Sequence, residues 1–177
     1  MADVGFLAPD ALVIRDARED ERDAVRELTL AAYAEYATAM TPSAWAGLEG
    51  AVRAGLDSRD GAHRIVAEHS GALLGSVMLY PAAAAAYGEM AGTSRWPELR
   101  LLAVAPAGRG LGVGRQLVDE CIRRARVDGA EAIGLHTSVS MQVAMQLYRR
   151  MGFVRAPELD FQPEGAEIVE GFVLRLD

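Results

Sequence analysis

Residues 102–115 read LAVAPAGRGLGVGR, an apolar run followed by a glycine-rich turn. The apolar run predicts a central strand over Glu98 to Val104, and the pattern after the glycines predicts a helix from about Gly112 to Val127. Several glycines where a helix begins let backbone N–H groups point towards one position, which the positive end of the helix dipole also faces. The stretch therefore predicts a phosphate-binding turn between a strand and a helix.

The rest of the chain alternates strand and helix patterns around this centre. Further helices are predicted from about Val25 to Tyr36, from Ala44 to Gly55 with Ser43 as its cap, and from Ser140 to Met151. The other predicted strands are Leu12–Arg15, Arg64–Glu68, Leu73–Tyr80, Ala132–Thr137, Phe153–Arg155 and Gly171–Leu176. Strand followed by helix recurs around a hairpin, so we expect an α/β fold with a mixed sheet and helices on both faces.

Charge and composition exclude several classes of function. All 18 basic residues are arginine, since the sequence contains no lysine, and 25 acidic residues give a net charge of −7. Schiff-base chemistry, a lysine nucleophile and the lysine-containing phosphate loop are therefore excluded. The arginines are scattered along an acidic chain, which is not the one-sided basic surface of a nucleic-acid-binding protein, so no nucleic acid partner is expected.

The cysteine content, the first residues and the length of the chain predict its compartment and its number of domains. Cys121 has no partner for an internal disulfide, and three His with one Cys at wide spacing predict no metal site. The first residues include the acidic Asp3, whereas a signal peptide begins with basic residues. No apolar run approaches the roughly 18 residues of a membrane span. We expect a cytoplasmic protein with no membrane partner and a single domain over residues 1–177.

The spacing of the glycines separates two kinds of phosphate site. The dinucleotide fingerprint G-x-G-x-x-G, counted from Gly110, would need a third glycine where Arg115 stands. What is present is Arg109-x-x-Gly112-x-Gly114 after an apolar strand, which resembles the acyl-CoA binding motif [RQ]-x-x-G-x-[GA] of the GNAT superfamily of N-acyltransferases. A glycine turn that only connects strand and helix is the alternative.

A second stretch strengthens the resemblance. Tyr148 stands four residues before Gly152-Phe153 at the end of a predicted helix, as in the later signature of the GNAT superfamily. The resemblance implies a mostly antiparallel sheet of six to seven strands that splays between strands 4 and 5, and it makes a homodimer possible. It also implies acetyl-CoA as the co-substrate and a small-molecule or peptide amine as the acceptor, with no metal.

The resemblance assigns a set of residues to coenzyme A. The pantetheine arm would lie along the strand of Leu102, Ala103 and Val104, and Arg115 could bind a phosphate oxygen. The turn residues implied for the pyrophosphate are Arg109, Gly110, Leu111, Gly112, Val113 and Gly114. Ala144 and Met141 would lie along pantetheine. Met141 stands where many members have asparagine. The contact that the asparagine amide makes with pantetheine is therefore made by Gln142, Thr137 or Ser138, or it is lost.

Three side chains are implied in the chemistry, each with a plainer alternative. Tyr148 is the expected general acid, although its spacing also fits a core aromatic residue. Glu98 is one candidate base, and alternation places it on the face of Leu102 and Val104; it could equally be a carboxylate paired with an arginine. His136 is the rival base because imidazole titrates near neutral pH, although a buried, hydrogen-bonded histidine is equally consistent.

The sequence thus favours an acetyl-CoA dependent N-acetyltransferase in which the amine attacks the thioester directly through a tetrahedral intermediate. A catalytically silent CoA-binding sensor with the same fold is the alternative. The resemblance places the acceptor site near the early helices and the loop before the central strand, where several aromatic residues could line a pocket or simply pack together. These residues are Tyr33, Tyr36, Trp45, Tyr87 and Trp96.

Overall fold

The computed structural model describes residues 11–59, 61–83 and 94–177, in which one sheet carries helices on both faces. The strands are β1 (Val13–Asp16), β2 (His63–His69), β3 (Ala72–Tyr80), β4 (Glu98–Val104), β5 (Ala132–Ser138), β6 (Val154–Arg155) and β7 (Val169–Arg175). The helices are α1 (Arg22–Ala34), α2 (Pro42–Asp57), α3 (Val113–Val127) and α4 (Gln142–Arg150). These bounds agree with the predicted ones to within two residues at either end, except that α1 begins three residues before its predicted start at Val25.

The seven strands of the described residues lie in the order β1-β2-β3-β4-β5-β7-β6. Neighbouring strands are antiparallel except β4 and β5, which are parallel. This confirms the predicted mostly antiparallel mixed sheet. No helix in the described ranges is long and apolar enough to cross a membrane.

Two apolar cores lie on opposite faces of the sheet. Helices α3 and α4 cover one face, where Leu117, Cys121 and Met145 are buried, and we call this the α3/α4 core. Helices α1 and α2 cover the other face, which we call the α1/α2 core, with Tyr33 and Val52 buried. Its other buried members are Leu56, Met78, Tyr80 and Ala103.

Helix α2 begins two residues earlier than a cap at Ser43 would allow. The hydroxyl oxygen of Thr41 accepts a hydrogen bond from the Ala44 N–H at 3.2 Å, while Ser43 lies inside the first turn. The prediction of Ser43 as the cap is therefore wrong. The extended backbone of Thr41 is the conformation that a capping residue needs, and Pro42 fits the first helical position because its missing N–H has no acceptor there.

A β-bulge interrupts β4. Arg100 pairs with Met78 and Ala103 pairs with Ser76, so β4 has one more residue than β3 between these pairs. Leu101 takes up the extra length with φ of +55°. The bulge reverses the alternation beyond it: Leu102 and Val104 pack on the α3/α4 core, whereas Glu98 lies opposite Tyr80 on the other face. The prediction that Glu98 shares a face with Leu102 and Val104 is wrong, because alternation alone contains no signal for a bulge.

Strands β4 and β5 separate almost as soon as they meet. They share the register pair Glu98 and Gly134, and the Gly134 N–H donates to the Pro97 carbonyl at 2.9 Å. No further pair joins the two strands among the residues that the structure covers. The predicted splay is thus present, and it opens a cleft between the two apolar faces.

A buried ion cluster closes the bottom of this cleft. The Glu98 carboxylate accepts from Arg100 at 2.9 Å and contacts His136 Nδ1 at 2.6 Å, while His136 Nε2 lies 2.9 Å from the Leu159 carbonyl oxygen. We call Glu98, Arg100 and His136 the Glu98 cluster. Burial alone would raise the pKa of Glu98, but the hydrogen bonds and charges of His136 and Arg100 outweigh it and lower that pKa. The cluster therefore holds a carboxylate that bridges β4 and β5.

A Glu98→Gln variant should be less stable than the wild type by about 3–5 kcal/mol near neutral pH, because it leaves buried positive charge without its partner. The folded-state pKa of Glu98 lies below its unfolded value of about 4.3, so its contribution is complete above that value and lost as the pH falls through the lowered pKa. Urea unfolding between pH 3 and 8 should give a constant difference above about pH 5 that shrinks at lower pH.

Glu49→Gln is the matched control, since Glu49 pairs with Arg53 on the exposed surface of α2. Its effect should stay below about 1 kcal/mol at every pH. A Glu98→Gln variant as stable as Glu49→Gln at pH 7 would contradict a stabilising role for the cluster.

Candidate active site

The glycine turn before α3 leaves the start of that helix open. Gly110 and Gly112 have φ of +75° and +76°, a conformation that side chains rarely adopt. No side chain caps α3, and the N–H groups of its first turn have no acceptor within the helix. Side chains of Gly110 and Gly112 would meet no other atom within 4 Å, so backbone conformation and not packing requires glycine here. An exposed helix start of this kind suits a phosphate group.

The two arginines of the turn are engaged with carboxylates. Arg109 lies 2.7 Å from Glu35, in the turn after α1, and Arg115 lies 3.5 Å from Asp119. All four side chains are about half exposed or more, and exposed pairs of this kind contribute at most about 1 kcal/mol. A phosphate could therefore replace either carboxylate as the partner of its arginine.

The remaining turn residues contribute through their backbone. Leu111 is exposed, and the Val113 side chain is buried in the α3/α4 core. A side chain at Gly114 would lie 3.4 Å from Leu147 and 3.5 Å from Val104, which is ordinary contact. The residues predicted to bind the pyrophosphate thus lie together at one end of the cleft, and each offers its backbone amide as the binding group.

Strand β4 lines the cleft with its main chain. The side chains of Leu102 and Val104 point into one apolar core and that of Ala103 into the other, so none of the three fills the gap towards β5. Because β4 and β5 share so little of their ladder, the β4 edge beyond Glu98 can pair with an extended ligand. The bulge at Leu101 takes neighbouring amides out of register with β3, which leaves them available as donors.

Two buried hydroxyl groups at the end of β5 lack partners. Thr137 and Ser138 are 3% and 7% exposed, and within the described residues their hydroxyl oxygens make no hydrogen bond. The Gln142 side chain is exposed and donates to the Val139 carbonyl. Of the three candidates to replace the missing asparagine, the two hydroxyls are the groups without a partner. Unpaired buried hydroxyls of this kind cost about 1–3 kcal/mol each, so they fit a polar ligand in the cleft.

Met141 and Ala144 lie on different sides of the β5–α4 connection. Met141 packs against the α1/α2 core, and Ala144 packs against the α3/α4 core. Only Ala144 therefore shares the side of the sheet on which Tyr148 lies. Met141 instead contacts the apolar group that contains Tyr36 and Trp45.

Tyr148 is buried in the α3/α4 core at 5% exposure. Burial raises the pKa of its phenol well above 10, and the nearby Tyr33 and Tyr36 raise it further. Gly152, with φ of +93°, ends α4 so that the Phe153 N–H donates to the Tyr148 carbonyl at 3.1 Å and the two rings meet edge to face. The tyrosine signature is thus a helix end that fixes the ring of Tyr148, and the phenol keeps its proton at neutral pH.

Glu98 and His136, the two predicted bases, are hydrogen-bonded to each other in the Glu98 cluster. Their side chains are 2% and 8% exposed and lie on the face of the sheet opposite to Tyr148. The gap between β4 and β5 is therefore where these side chains and the phenol can approach the same ligand. His136 contacts the Glu98 carboxylate through one ring nitrogen and the Leu159 carbonyl oxygen through the other.

The predicted aromatic residues divide into two groups. Tyr33, Tyr36 and Trp45 belong to the α1/α2 core, and the rings of Tyr33 and Tyr36 meet edge to face. Trp96 lies elsewhere, between Arg95 and Arg175, and Tyr87 falls outside the described residues. In the part of the chain that is described, no three His, Cys, Asp or Glu side chains are grouped so as to hold a metal ion.

Sequence reasoning missed the segment between β6 and β7 as part of the site. Leu159 contributes its carbonyl to His136, and the Phe161 ring lies edge to face with the imidazole at 5.3 Å. Glu167, in the same segment, accepts from Ser140 at 2.7 Å. These contacts join residues distant in sequence, and a local pattern of charge or hydropathy gives no signal for them.

Known proteins resemble both the sequence and the fold. Mycothiol acetyltransferase of Cellulomonas flavigena is 37% identical over 101 residues, which are 54% of this chain and 28% of that protein, so this chain spans well under half of that relative. A GNAT family acetyltransferase from Brucella melitensis, solved in complex with acetyl-CoA, superposes with a TM-score of 0.60 and 22% identity over 95% of this chain and 90% of that one.

A second solved structure, YncA of Salmonella typhimurium, a putative acetyltransferase with its cofactor acetyl-CoA, gives a TM-score of 0.64 at 21% identity and covers 95% of both chains. The Acetyltransferase (GNAT) family profile matches residues 22–153, from the first residue of α1 to the Phe153 that follows the α4 end. This match extends over most of the chain and includes both signatures. The chain therefore belongs to the GNAT acetyltransferase family.

Proposed function

We propose that this chain is an N-acetyltransferase that moves the acetyl group of acetyl-CoA to a primary amine. The observation that carries the proposal is the splay between β4 and β5, which has the open start of α3 at one end and adjoins Tyr148 and the Glu98 cluster. Family membership and relatives solved with acetyl-CoA support it. A nucleic acid or metal is not part of the proposed reaction.

The residues described above fit coenzyme A in three places. The amides of the turn from Arg109 to Gly114 would bind the pyrophosphate, and the β4 edge from Leu102 to Val104 would pair with pantetheine. The unpartnered hydroxyls of Thr137 and Ser138 would take over the contacts of the missing asparagine. Acetyl-CoA supplies an acetyl thioester, whose carbonyl a backbone N–H near Leu102 would polarise.

Tyr148 is the proposed general acid. Its phenol retains its proton at neutral pH because burial raises its pKa, and it carries no charge that would need a partner in the core. A proton donor is needed where a thiolate departs, since a thiol is a better leaving group than its anion. The packing of Phe153 against the ring holds the hydroxyl in one place.

His136 is the proposed base, with Glu98 as the residue that orients it. Glu98 has two charged partners in a buried site and a lowered pKa, so it is a poor proton acceptor. His136 Nε2 would leave the Leu159 carbonyl in order to accept a proton from an amine or a bridging water. A carboxylate on Nδ1 then selects the tautomer in which Nε2 accepts the proton.

A Gly112→Trp variant tests the cofactor site. The indole would occupy the space at the open helix start, so the Kd for acetyl-CoA should rise about tenfold or more in calorimetric titration. Gly129→Trp is the matched control, because Gly129 lies just beyond the other end of α3 with φ of +74° and no atom within 4 Å of an added Cβ. Equal binding by both variants, or binding of NAD in place of acetyl-CoA, would refute the proposed site.

A Tyr148→Phe variant should lower kcat by about 100-fold or more, because the departing thiolate loses its proton donor. The Kd for acetyl-CoA and the melting temperature should stay near the wild-type values. Tyr33→Phe, which removes a buried phenol oxygen from the other core, is the control. Full turnover by Tyr148→Phe would remove Tyr148 from the chemistry, and acetyl-CoA binding without transfer to any amine would favour a CoA-binding sensor.

A His136→Gln variant tests the base. The variant has no ring nitrogen that can take a proton from the amine, so its kcat/KM at pH 8 should fall by about 100-fold or more while the Kd for acetyl-CoA stays near the wild-type value. His63→Gln, on the exposed start of β2, should keep the wild-type kcat/KM. Wild-type kcat/KM in His136→Gln would show that the amine loses its proton to another group.

A further inference from the structure

Four half-buried apolar side chains pack against the α1/α2 core, and we call them the apolar wall: Tyr36, Trp45, Leu101 and Met141. They come from the turn after α1, the first turn of α2, the β4 bulge and the residue before α4. All four pack against the α1/α2 core but keep part of their surface uncovered. An apolar ligand group that covers this surface lowers the free energy of the complex, because it removes apolar surface from water.

The apolar wall borders the proposed reacting centre. Leu101 directly precedes Leu102 in the bulge, where the thioester carbonyl would bind, and Met141 immediately precedes the helix that carries Tyr148. The Tyr36 hydroxyl lies close enough to Tyr148 to add to the rise in its pKa. An apolar group bound at the wall would therefore lie close to the amine nitrogen that receives the acetyl group.

The segment from Phe161 to Ile168 runs along the wall. Glu167 accepts from the hydroxyl of Ser140, next to Met141, and a Cβ added at Gly165 would lie 3.8 Å from Ser43 Oγ at the start of α2. This segment therefore extends from the β5–α4 connection to the beginning of α2, close to both Met141 and Trp45. It brings the Glu167 carboxylate to the edge of the wall.

The charge of this region matches an ammonium group. Glu167 is half-buried and accepts from the hydroxyl of Ser140, and no cation pairs with its negative charge in the described residues. The whole chain carries a net charge of −7. A cationic amine is attracted to such a site, and its uncharged remainder meets an apolar surface.

We infer that the acceptor is a monoamine with an aliphatic or aromatic group one or two bonds from its ammonium carbon, and that the apolar wall binds this group. The inference rests on the proposed function and adds its substrate class. Polyamines and aminoglycosides, which a net negative charge alone would favour, do not match, because their second charge or hydroxyl groups would lie against the wall and lose their water. Trp45 and Met141 are the specificity-determining residues.

The test compares kcat/KM for matched amines at saturating acetyl-CoA. Phenethylamine and isopentylamine should exceed ethanolamine and putrescine by about tenfold or more. Trp45→Ala and Met141→Asn should each reduce this ratio severalfold, mainly by raising KM for the apolar amines. Val143→Asn is the control, since Val143 is 81% exposed on α4 and lies outside the wall. Melting curves show whether each variant is folded.

The outcomes separate this inference from the proposed function. Faster acetylation of ethanolamine or putrescine, or a ratio that neither variant changes, would overturn the inference and leave the acetyltransferase in place. Acetyl-CoA binding without transfer to any of the four amines, or to a wider panel, would overturn the proposed function and the inference with it. If Trp45→Ala does not fold, Met141→Asn alone decides, because Met141 precedes α4 and is only half-buried.

Discussion

The contact between Glu98 and His136 joins two parallel strands that otherwise share a single pair in their ladder. A hydrogen bond to the buried Glu98 carboxylate keeps β4 and β5 together at one end, and the strands can then diverge without separating the two halves of the sheet. The cleft, the accessible edge of β4 and the passage between the two cores all result from this arrangement. Arg100 completes the cluster by stacking on the Tyr80 ring at 4.3 Å.

The β4 bulge distributes the functional groups between the two sides of the cleft. Before the bulge, Glu98 and Arg100 lie on the α1/α2 side, and beyond it Leu102 and Val104 lie on the α3/α4 side. A continuous strand would have placed all four on one face. The proposed base and acid also lie on opposite faces of the sheet, because His136 on β5 contacts Glu98 and Tyr148 on α4 is buried in the α3/α4 core.

Much of the fold could be predicted from the sequence because its signals are local. The glycine turn, the apolar run of β4 and the Gly152-Phe153 helix end each depend on a few adjacent residues, and their elements were predicted to within two residues. The cap at Thr41, the face of Glu98 and the role of Leu159 were not predicted correctly or at all. A cap depends on one backbone angle, a bulge on pairing with β3, and the Leu159 contact on chain segments that meet only in the folded protein.

The ion pair between Arg109 and Glu35 has a consequence for the order of events in the cleft. An anion that binds Arg109 has to displace Glu35, and Glu35 directly precedes the Tyr36 of the apolar wall. Occupancy of the glycine turn and occupancy of the wall would therefore be linked through one short turn, and by thermodynamic reciprocity each ligand would change the affinity of the other by the same factor. An exposed salt bridge would then be the element that couples the two halves of the cleft.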